Sequence, residues 1–189
     1  MHETTGKNEI QNVFEWGHKR VLKSLVQFTN KSFDINILKA KSFSKSDLLT
    51  ELEDLPFNEN LTLLKTEIIG DIFGKSYWLI DEPASNYITN TDNNKQLDTN
   101  FSYEMLREVD NIISATLISQ LSDNFSLKIY GDVPELVLPK LKPFKEIVNT
   151  DFQKSNSSLF IYALEFQIKE FPTATCLFFW CIEATKILQ

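Results

Sequence analysis

Cysteine and histidine are scarce in this chain, with two of each among 189 residues. The cysteines, Cys176 and Cys181, are five residues apart in an apolar segment that is predicted as one strand. An odd separation along a strand places two side chains on opposite faces, so these thiols cannot form a disulfide or bind one metal ion together. The histidines, His2 and His18, belong to no cluster with metal-ligand spacing. We therefore expect two buried free thiols and no metal site of the chain's own.

An excess of positive charge and long apolar runs are also lacking. The net charge is -7, from 26 acidic and 19 basic side chains, which argues against nucleic acid or an anionic membrane as the main partner. The longest strongly apolar run, residues 176–182, is far too short to span a bilayer. Residues 1–9 are polar and contain no apolar signal region, so we expect a cytoplasmic protein.

Apolar residues are plentiful and are arranged in two similar halves. Hydrophobic residues make up 42% of the chain, and 15 residues are Phe, which predicts a single domain over residues 1–189 with a large aromatic core. The first copy, about residues 8–90, is predicted as a long helix, a strand, a short helix, two strands and a second short helix. The expected helices are 8–28, one from 46 and one from 81. The expected strands are 33–40, 61–69 and 73–80, the last two joined across Gly70 and Asp71, with Gly70 and Gly74 permitting a tight turn.

A polar segment over residues 89–99 is rich in Asn and Asp, has no periodicity and is predicted as a linker. The second copy follows over residues 101–189, with a long helix at 101–122, a strand at 125–133, a Pro- and Lys-bearing stretch at 136–148, strands at 159–167 and 174–180, and a short helix from 182. This repeat predicts an α+β fold with a six-stranded, mostly antiparallel sheet and two long helices packed on it, related by a pseudo-twofold axis.

The second long helix displays a polar face nearly opposite its apolar stripe. At about 100° per residue, the stripe consists of Met105, Leu106, Val109, Ile112, Ile113 and Leu117. Glu104, Glu108 and Asn111 fall within about 60° of one another on the other side. Ser114 and Ala115 follow one turn later beside Ile118, which predicts a partner-binding surface with an exposed apolar residue near Asn111. The alternative is an ordinary solvated face, in which Glu104 and Glu108 merely have i, i+4 spacing.

Glu108 and Asn111 form an E-x-x-N pattern, and 22 residues separate Asn111 from Pro134. With the two-copy layout and the hairpin sequence at 69–74, this spacing resembles the CheC/CheX/FliY family of chemotaxis phosphatases over residues 8–187. The resemblance implies a CheC-like fold and hydrolysis of the aspartyl phosphate of a response-regulator receiver domain of the CheY type. In that case Asn111 orients the attacking water, Glu108 accepts the receiver's active-site lysine, and Pro134 is structural. Any Mg2+ would belong to the receiver domain, so no cofactor of the chain's own is expected.

The chain departs from the family pattern at two places. The family prefers Asp or Ser four residues before the Glu, and the longer acid Glu104 stands there in this chain. It either preserves a helix-surface contact or repels an acidic partner. The first helix carries Glu15 and His18 as E-x-x-H, and Lys41 stands where the proline is expected. We therefore predict a degenerate first site and one active helix per chain, as in the single-site CheX kind, for which the resemblance implies a homodimer. A structural role for His18 and a role as catalytic base both stay open.

Two other functions also stay open. A non-catalytic module of the same fold, which acts as a scaffold or sequesters a receiver domain, agrees with Glu104 and with the degenerate first copy. A small-molecule sensor that uses a cleft between the halves is supported only by the aromatic-rich core. Replacing Asn111 with Ala separates the enzyme from the scaffold, because only the enzyme would lose turnover.

Overall fold

The computed structural model of the chain describes residues 2–52, 61–90, 99–137, 144–155 and 158–183. Two long helices cover one face of an antiparallel sheet, which confirms the predicted α+β class. The helices are α1 (His2–Thr29), α2 (Lys45–Glu51), α3 (Glu82–Thr89), α4 (Thr99–Phe125) and α5 (Phe144–Asp151). The strands are β1 (Asp34–Phe43), β2 (Thr62–Gly70), β3 (Gly74–Ile80), β4 (Ile129–Gly131), β5 (Glu135–Val137), β6 (Leu159–Gln167) and β7 (Cys176–Glu183).

The two copies exchange strands within one sheet. The strand order is β1-β6-β7-β3-β2-β4, with β5 also paired to β2. At the centre β3 pairs with β7, so that Gly74 lies opposite Ile182 and Tyr77 opposite Phe179. The first strand of each copy joins the hairpin of the other copy, since β1 pairs with β6 while β4 and β5 pair with β2. This arrangement has the pseudo-twofold symmetry that the sequence repeat predicts.

The sheet has seven strands within the described ranges, and the prediction of six was wrong in the second copy. The strand expected over 125–133 is reduced to β4, which has three residues, and a second three-residue strand, β5, follows beyond its predicted end. The helix α4 continues past its predicted end to Phe125 and stops there, because Ser126 takes a left-handed conformation, with φ 52°, and the Leu127 amide donates to the Ser122 carbonyl at 3.1 Å. That C-cap is usually built with Gly. Pro134 separates β4 from β5, since proline has no amide N–H for the strand ladder.

Apolar side chains pack on both faces of the sheet. On one face α1 and α4 cover a core that includes Trp78, and on the other face α2 and α5 cover a core that includes Tyr77. The central strand β3 is buried along its whole length, including its polar residues Lys75 and Ser76. Cys176 and Cys181 are free and buried, one in each core, as predicted.

The helix α1 packs against α4. Phe14 is buried there, and Gly17 lies so close to α4 that a Cβ at this position would stand 2.9 Å from Leu117 Cδ2. Phe28 has helical spacing with Phe14 in the sequence, which predicts that both lie on one side, but the Phe28 side chain is 43% exposed. In the last turn Thr29 takes the inward position instead and is buried.

The C-terminal end of the fold also differs from the prediction. The short helix expected from residue 182 is wrong for Ile182 and Glu183, which extend β7. The cause is continued pairing with the central hairpin, since the Glu183 amide donates to the Phe73 carbonyl at 2.9 Å. Residues 184–189 lie outside the described residues, as do residues 91–98 of the predicted linker.

Gly70 is the last residue of β2 and lies opposite Ile129 of β4. Its φ is 123°, and a Cβ at this position would collide with the backbone carbonyl oxygen of Lys128. We expect Gly70→Ala to lower the free energy of unfolding by about 2 kcal/mol or more, because alanine meets both an unfavourable conformation and a fixed backbone atom. Urea denaturation followed by tryptophan fluorescence measures this loss.

Gly131→Ala, on the neighbouring strand, is the matched control. A Cβ there would stand 3.0 Å from Ile118 Cδ1, the end of a flexible side chain, so we expect a loss below about 1 kcal/mol. Equal losses for the two variants would contradict the special role of Gly70.

Candidate functional site

Glu108 and Asn111 lie side by side in an open cleft beside α4. Both side chains are exposed, as is Glu104 one turn earlier. The cleft has a volume of about 220 Å³ and is lined on the helix side by these three residues and Arg107. Its opposite wall is the chain that leaves β4, residues 131–134. The helix therefore brings the two predicted catalytic side chains to one place, where water and a partner can reach them.

Arg107 links the opposite wall of the cleft to α4. The buried Pro134 accepts a hydrogen bond at its carbonyl oxygen from Arg107 Nε at 3.1 Å. The same guanidinium donates from Nη1 to Glu104 Oε1 at 2.9 Å. Between Asn111 and Pro134 there are 22 residues. They comprise the rest of α4 and the strand β4, and they bring the chain back to the turn of the helix that contains Arg107. This contact is consistent with the structural role predicted for Pro134.

Arg107 is a site residue that the sequence prediction missed. The available signal was its spacing of three residues from Glu104, which is typical of a helical ion pair. Such an exposed pair contributes little to stability. Its effect is on charge, because Arg107 neutralises Glu104 and leaves Glu108 and Asp132 as the acidic groups that line the cleft.

A buried polar layer lies between α4 and the sheet, below the exposed pair. Thr66 Oγ1 on β2 donates to Asp110 Oδ2 at 2.5 Å, and Ser76 on β3 shares a hydrogen bond of 3.1 Å with Ser114. Asp110 is fully buried, and its Oδ1 atom has no hydrogen-bond partner in the described part of the chain. Burial raises the pKa of Asp110 to about 7, while the hydrogen bond from Thr66 acts in the opposite direction.

The polar layer explains why the predicted docking surface is wrong in part. Ser114 is 1% exposed and Ile118 is 7% exposed, so neither offers the free surface that the helical pattern predicts. The predicted buried face was defined by apolar residues alone. In the structure the polar residues Asp110 and Ser114 also face the sheet, so the buried face of α4 includes their side of the helix. Of the predicted partner-binding residues, Glu104 and Ala115 are exposed.

A second groove, of about 270 Å³, continues the cleft towards the C-terminal end of α4. Its lining includes Ala115 and the small remaining surfaces of Ser114 and Ile118. It shares Asn111 and Gly131 with the cleft. Asn111 therefore stands where two depressions meet along the same helix.

The first-copy pair, Glu15 and His18, is only partly exposed on α1. His18 Nδ1 lies 3.4 Å from the Tyr162 hydroxyl, which donates to the Phe14 carbonyl at 3.1 Å. Burial lowers the pKa of His18, Lys19 lowers it further, and Glu15 acts in the opposite direction. The imidazole thus lies against a core tyrosine, and its assignment to a degenerate site stays a prediction.

The remaining groups with metal-binding or nucleophilic chemistry are buried or dispersed. Within the ranges given above, no three His, Cys, Asp or Glu side chains are grouped so as to hold a metal ion. Burial raises the pKa of the Cys176 thiol to about 12 and also raises that of Cys181, so both are protonated at neutral pH. The helices of the described chain include none with the length and apolar character needed to cross a membrane.

The exchanged strands and the two long helices on one face define a CheC-like fold, and the comparisons with known proteins agree. No family model matches the sequence, and no curated protein is similar to it in sequence. Among solved structures, FliY from Thermotoga maritima is similar with a TM-score of 0.65 and 13% identity, over 97% of this chain and 92% of that one. CheX from Vibrio vulnificus has a TM-score of 0.59 and 13% identity, over 93% of this chain and 99% of that one.

A chain of the FliG–FliM complex from H. pylori is similar with a TM-score of 0.60 and 11% identity, over 95% of this chain and 97% of that one. These similarities confirm, for the fold, the resemblance that the sequence predicts. At such identities they establish the architecture, and the function is argued from the site.

The buried carboxyl group of Asp110 makes the free energy of unfolding decrease as the pH rises, because burial raises its pKa. Its pKa rises from an ordinary 3.8 to about 7 in the folded chain, so its contribution to stability is complete below pH 4 and is lost as the pH rises through about 7. Asp110→Asn is neutral at every pH. We expect this variant to gain stability relative to the wild type as the pH rises from 5 to 8, by about 1.4 kcal/mol for each pH unit up to about pH 7. Urea denaturation across this range measures the difference.

Glu108→Gln is the control for this experiment, because it removes an exposed carboxylate from the same helix. Its stability relative to the wild type should change little between pH 5 and pH 8. An Asp110→Asn difference that is the same at both pH values would contradict a raised pKa for Asp110.

Proposed function

We propose that the chain hydrolyses the aspartyl phosphate of a response-regulator receiver domain. The observation that carries the proposal is the exposed pair Glu108 and Asn111, one helical turn apart in one cleft, on a fold shared with CheX and FliY. Sites for small molecules are usually concave and enclose most of the ligand. A shallow cleft of about 220 Å³ suits instead a reactive group presented on the surface of another protein.

Asn111 supplies the polar contacts that a hydrolytic water needs. Its amide offers one acceptor and two donors, and can hold a water in line with the phosphorus of a docked acyl phosphate. The water oxygen forms a bond to phosphorus while the bond from phosphorus to the aspartate oxygen breaks. The products are the receiver's free carboxylate and dihydrogen phosphate, which carries the oxygen and both protons of the water. Positioning is the main requirement, so no strong nucleophile is needed.

Glu108 holds the partner in register. Among the described residues Arg107 pairs with Glu104 and with the Pro134 carbonyl, which leaves the Glu108 carboxylate for a basic group of the partner. The resemblance to the chemotaxis phosphatases assigns that group as the active-site lysine of the receiver, through a charge-assisted hydrogen bond. Any Mg2+ belongs to the receiver domain in this proposal.

The cellular setting follows from the same resemblance. The proposal is a cytoplasmic homodimer in chemotaxis or another two-component pathway, with one active helix in each chain. The net charge of -7 agrees with a partner other than nucleic acid or an anionic membrane.

A non-catalytic scaffold or sequestering module of the same fold is the second candidate. The similarity to a chain of the FliG–FliM complex favours it, because that protein is found in an assembly. The Glu104–Arg107 pair at the mouth of the cleft also fits a surface built for protein contact. In this alternative Asn111 contributes to binding at most and performs no chemistry.

We expect Asn111→Ala to reduce turnover by about 100-fold, because loss of one positioned polar group costs that much where positioning dominates. Affinity for the receiver should stay within about twofold, since only a small exposed amide is removed. The measurement is the decay of receiver domains from the same genome charged with acetyl phosphate, together with binding of the same domains loaded with beryllofluoride.

Asn36→Ala is the matched control, because Asn36 is an exposed asparagine on β1 that bonds to Glu165, away from the cleft. It should leave both turnover and affinity unchanged. If the wild-type protein accelerates the decay of no receiver domain, the phosphatase is refuted; binding without acceleration favours the scaffold.

The first copy allows a separate prediction. We expect His18→Gln to keep turnover within about twofold of the wild type, because His18 lies against Tyr162 on α1 and takes no part in the cleft beside α4. The same decay assay measures the effect. A loss of more than tenfold in a variant with unchanged denaturation would make the first helix a second active site.

A further inference from the structure

We infer that Tyr103 and Val133 form an apolar docking subsite for the receiver domain, on the N-terminal side of Asn111 along α4. The inference rests on the proposed function, since it names where the same partner is held. The sequence prediction places partner contacts at Glu104 and, on the other side of Asn111, at Ser114, Ala115 and Ile118, and it includes neither Tyr103 nor Val133.

A third depression, of about 500 Å³, lies beside the cleft towards the N-terminus of α4. It shares four lining residues with the cleft, namely Glu104, Arg107, Val133 and Pro134. The two depressions are therefore parts of one continuous groove, and a protein seated over Asn111 extends into both.

Exposed apolar side chains stand on the two sides of this depression. Tyr103 on α4 is 38% exposed, and Val133 on the opposite wall is 66% exposed. Single exposed apolar residues are ordinary, but these two line the same groove that contains the candidate catalytic pair. An apolar side chain of the partner would lose its contact with water between them. On the other side of Asn111, Ile118 is buried and Ala115 is small, so that α4 presents no large exposed apolar side chain there, and the exposed Tyr130 stands on the opposite wall of that groove.

The charges along the groove identify the occupant. In the third depression Arg107 offsets Glu104, and Glu135 lies 3.6 Å from Lys65. The adjoining cleft keeps the acidic groups Glu108 and Asp132. A complementary surface therefore presents a basic group to the cleft and an apolar side chain to the subsite.

The distance between these two contacts suits one protein surface. Tyr103 precedes Asn111 by eight residues, which is about 12 Å along a helix. Both contacts thus fall within one interface of ordinary size. We commit to the surface of the receiver domain around its phosphorylated aspartate, which under the proposed function must cover Glu108 and Asn111.

The test uses the full chain with Tyr103→Ser, Val133→Ser and the double variant. We expect the double variant to raise the Kd for the beryllofluoride-loaded receiver, and the KM for the phosphorylated receiver, by tenfold or more. The rate at saturating receiver should fall much less, because the subsite contributes to docking and not to the chemistry. Val26→Ser, which removes a 40% exposed valine from α1 outside the groove, is the matched control and should change neither constant. An unchanged urea midpoint shows that each variant is folded.

The outcomes separate this inference from the proposed function. An unchanged Kd and KM in the double variant, with Asn111→Ala inactive, would overturn the subsite and leave the phosphatase standing. Loss of affinity only in Ala115→Arg would also overturn it, by placing the partner on the other side of Asn111. Binding that depends on Tyr103 and Val133 without faster decay would support the subsite and refute the phosphatase. No binding to any loaded receiver would overturn both.

Discussion

The orientation of α4 depends on two buried polar contacts with the sheet, Thr66 with Asp110 and Ser76 with Ser114. A carboxyl group buried without a hydrogen bond costs several kcal/mol, so rotating the helix away from Thr66 is strongly unfavourable. In the orientation that keeps this bond, the neighbouring Asn111 faces outward next to Glu108. Buried residues that do not reach the surface thus position the exposed pair Glu108 and Asn111. The hydrogen bond from Arg107 to the Pro134 carbonyl holds the opposite wall of the cleft against the same turn of α4.

Much of the candidate site could be predicted from the sequence, because helical periodicity alone places Glu104, Glu108 and Asn111 on one exposed face. Periodicity failed where polar side chains are buried. Ser114 and the neighbouring Asp110 look like surface residues in a pattern that sorts by hydrophobicity, and only the hydroxyls of β2 and β3 reveal their partners. The link from Arg107 to the Pro134 carbonyl is a contact between distant parts of the chain, which local spacing does not predict.

For the fold, the elements that bury apolar runs were the predictable ones. The strand β6 has the predicted bounds, and β2 and β3 deviate only at their ends. Prediction failed where backbone conformation decides the boundary, as at the left-handed Ser126, which ends α4 beyond its predicted end, and at Pro134, after which the unpredicted strand β5 begins. The repeat predicted the symmetry of the sheet. It did not predict that the first strand of each copy pairs with the hairpin of the other, because the periodicity of one segment gives no information about its distant partner.

That exchange has a consequence for the newly made chain. Asp34 pairs with Gln167, so β1 finds its partner only when most of the polypeptide has left the ribosome. Pairing between such distant segments slows folding, and incompletely paired strands can associate with other molecules in the interval. Lys39 and Lys41 lie on β1, and charged side chains of this kind on an edge strand discourage pairing with a second chain. The two lysines therefore protect the strand from aggregation during the time when its native partner does not yet exist.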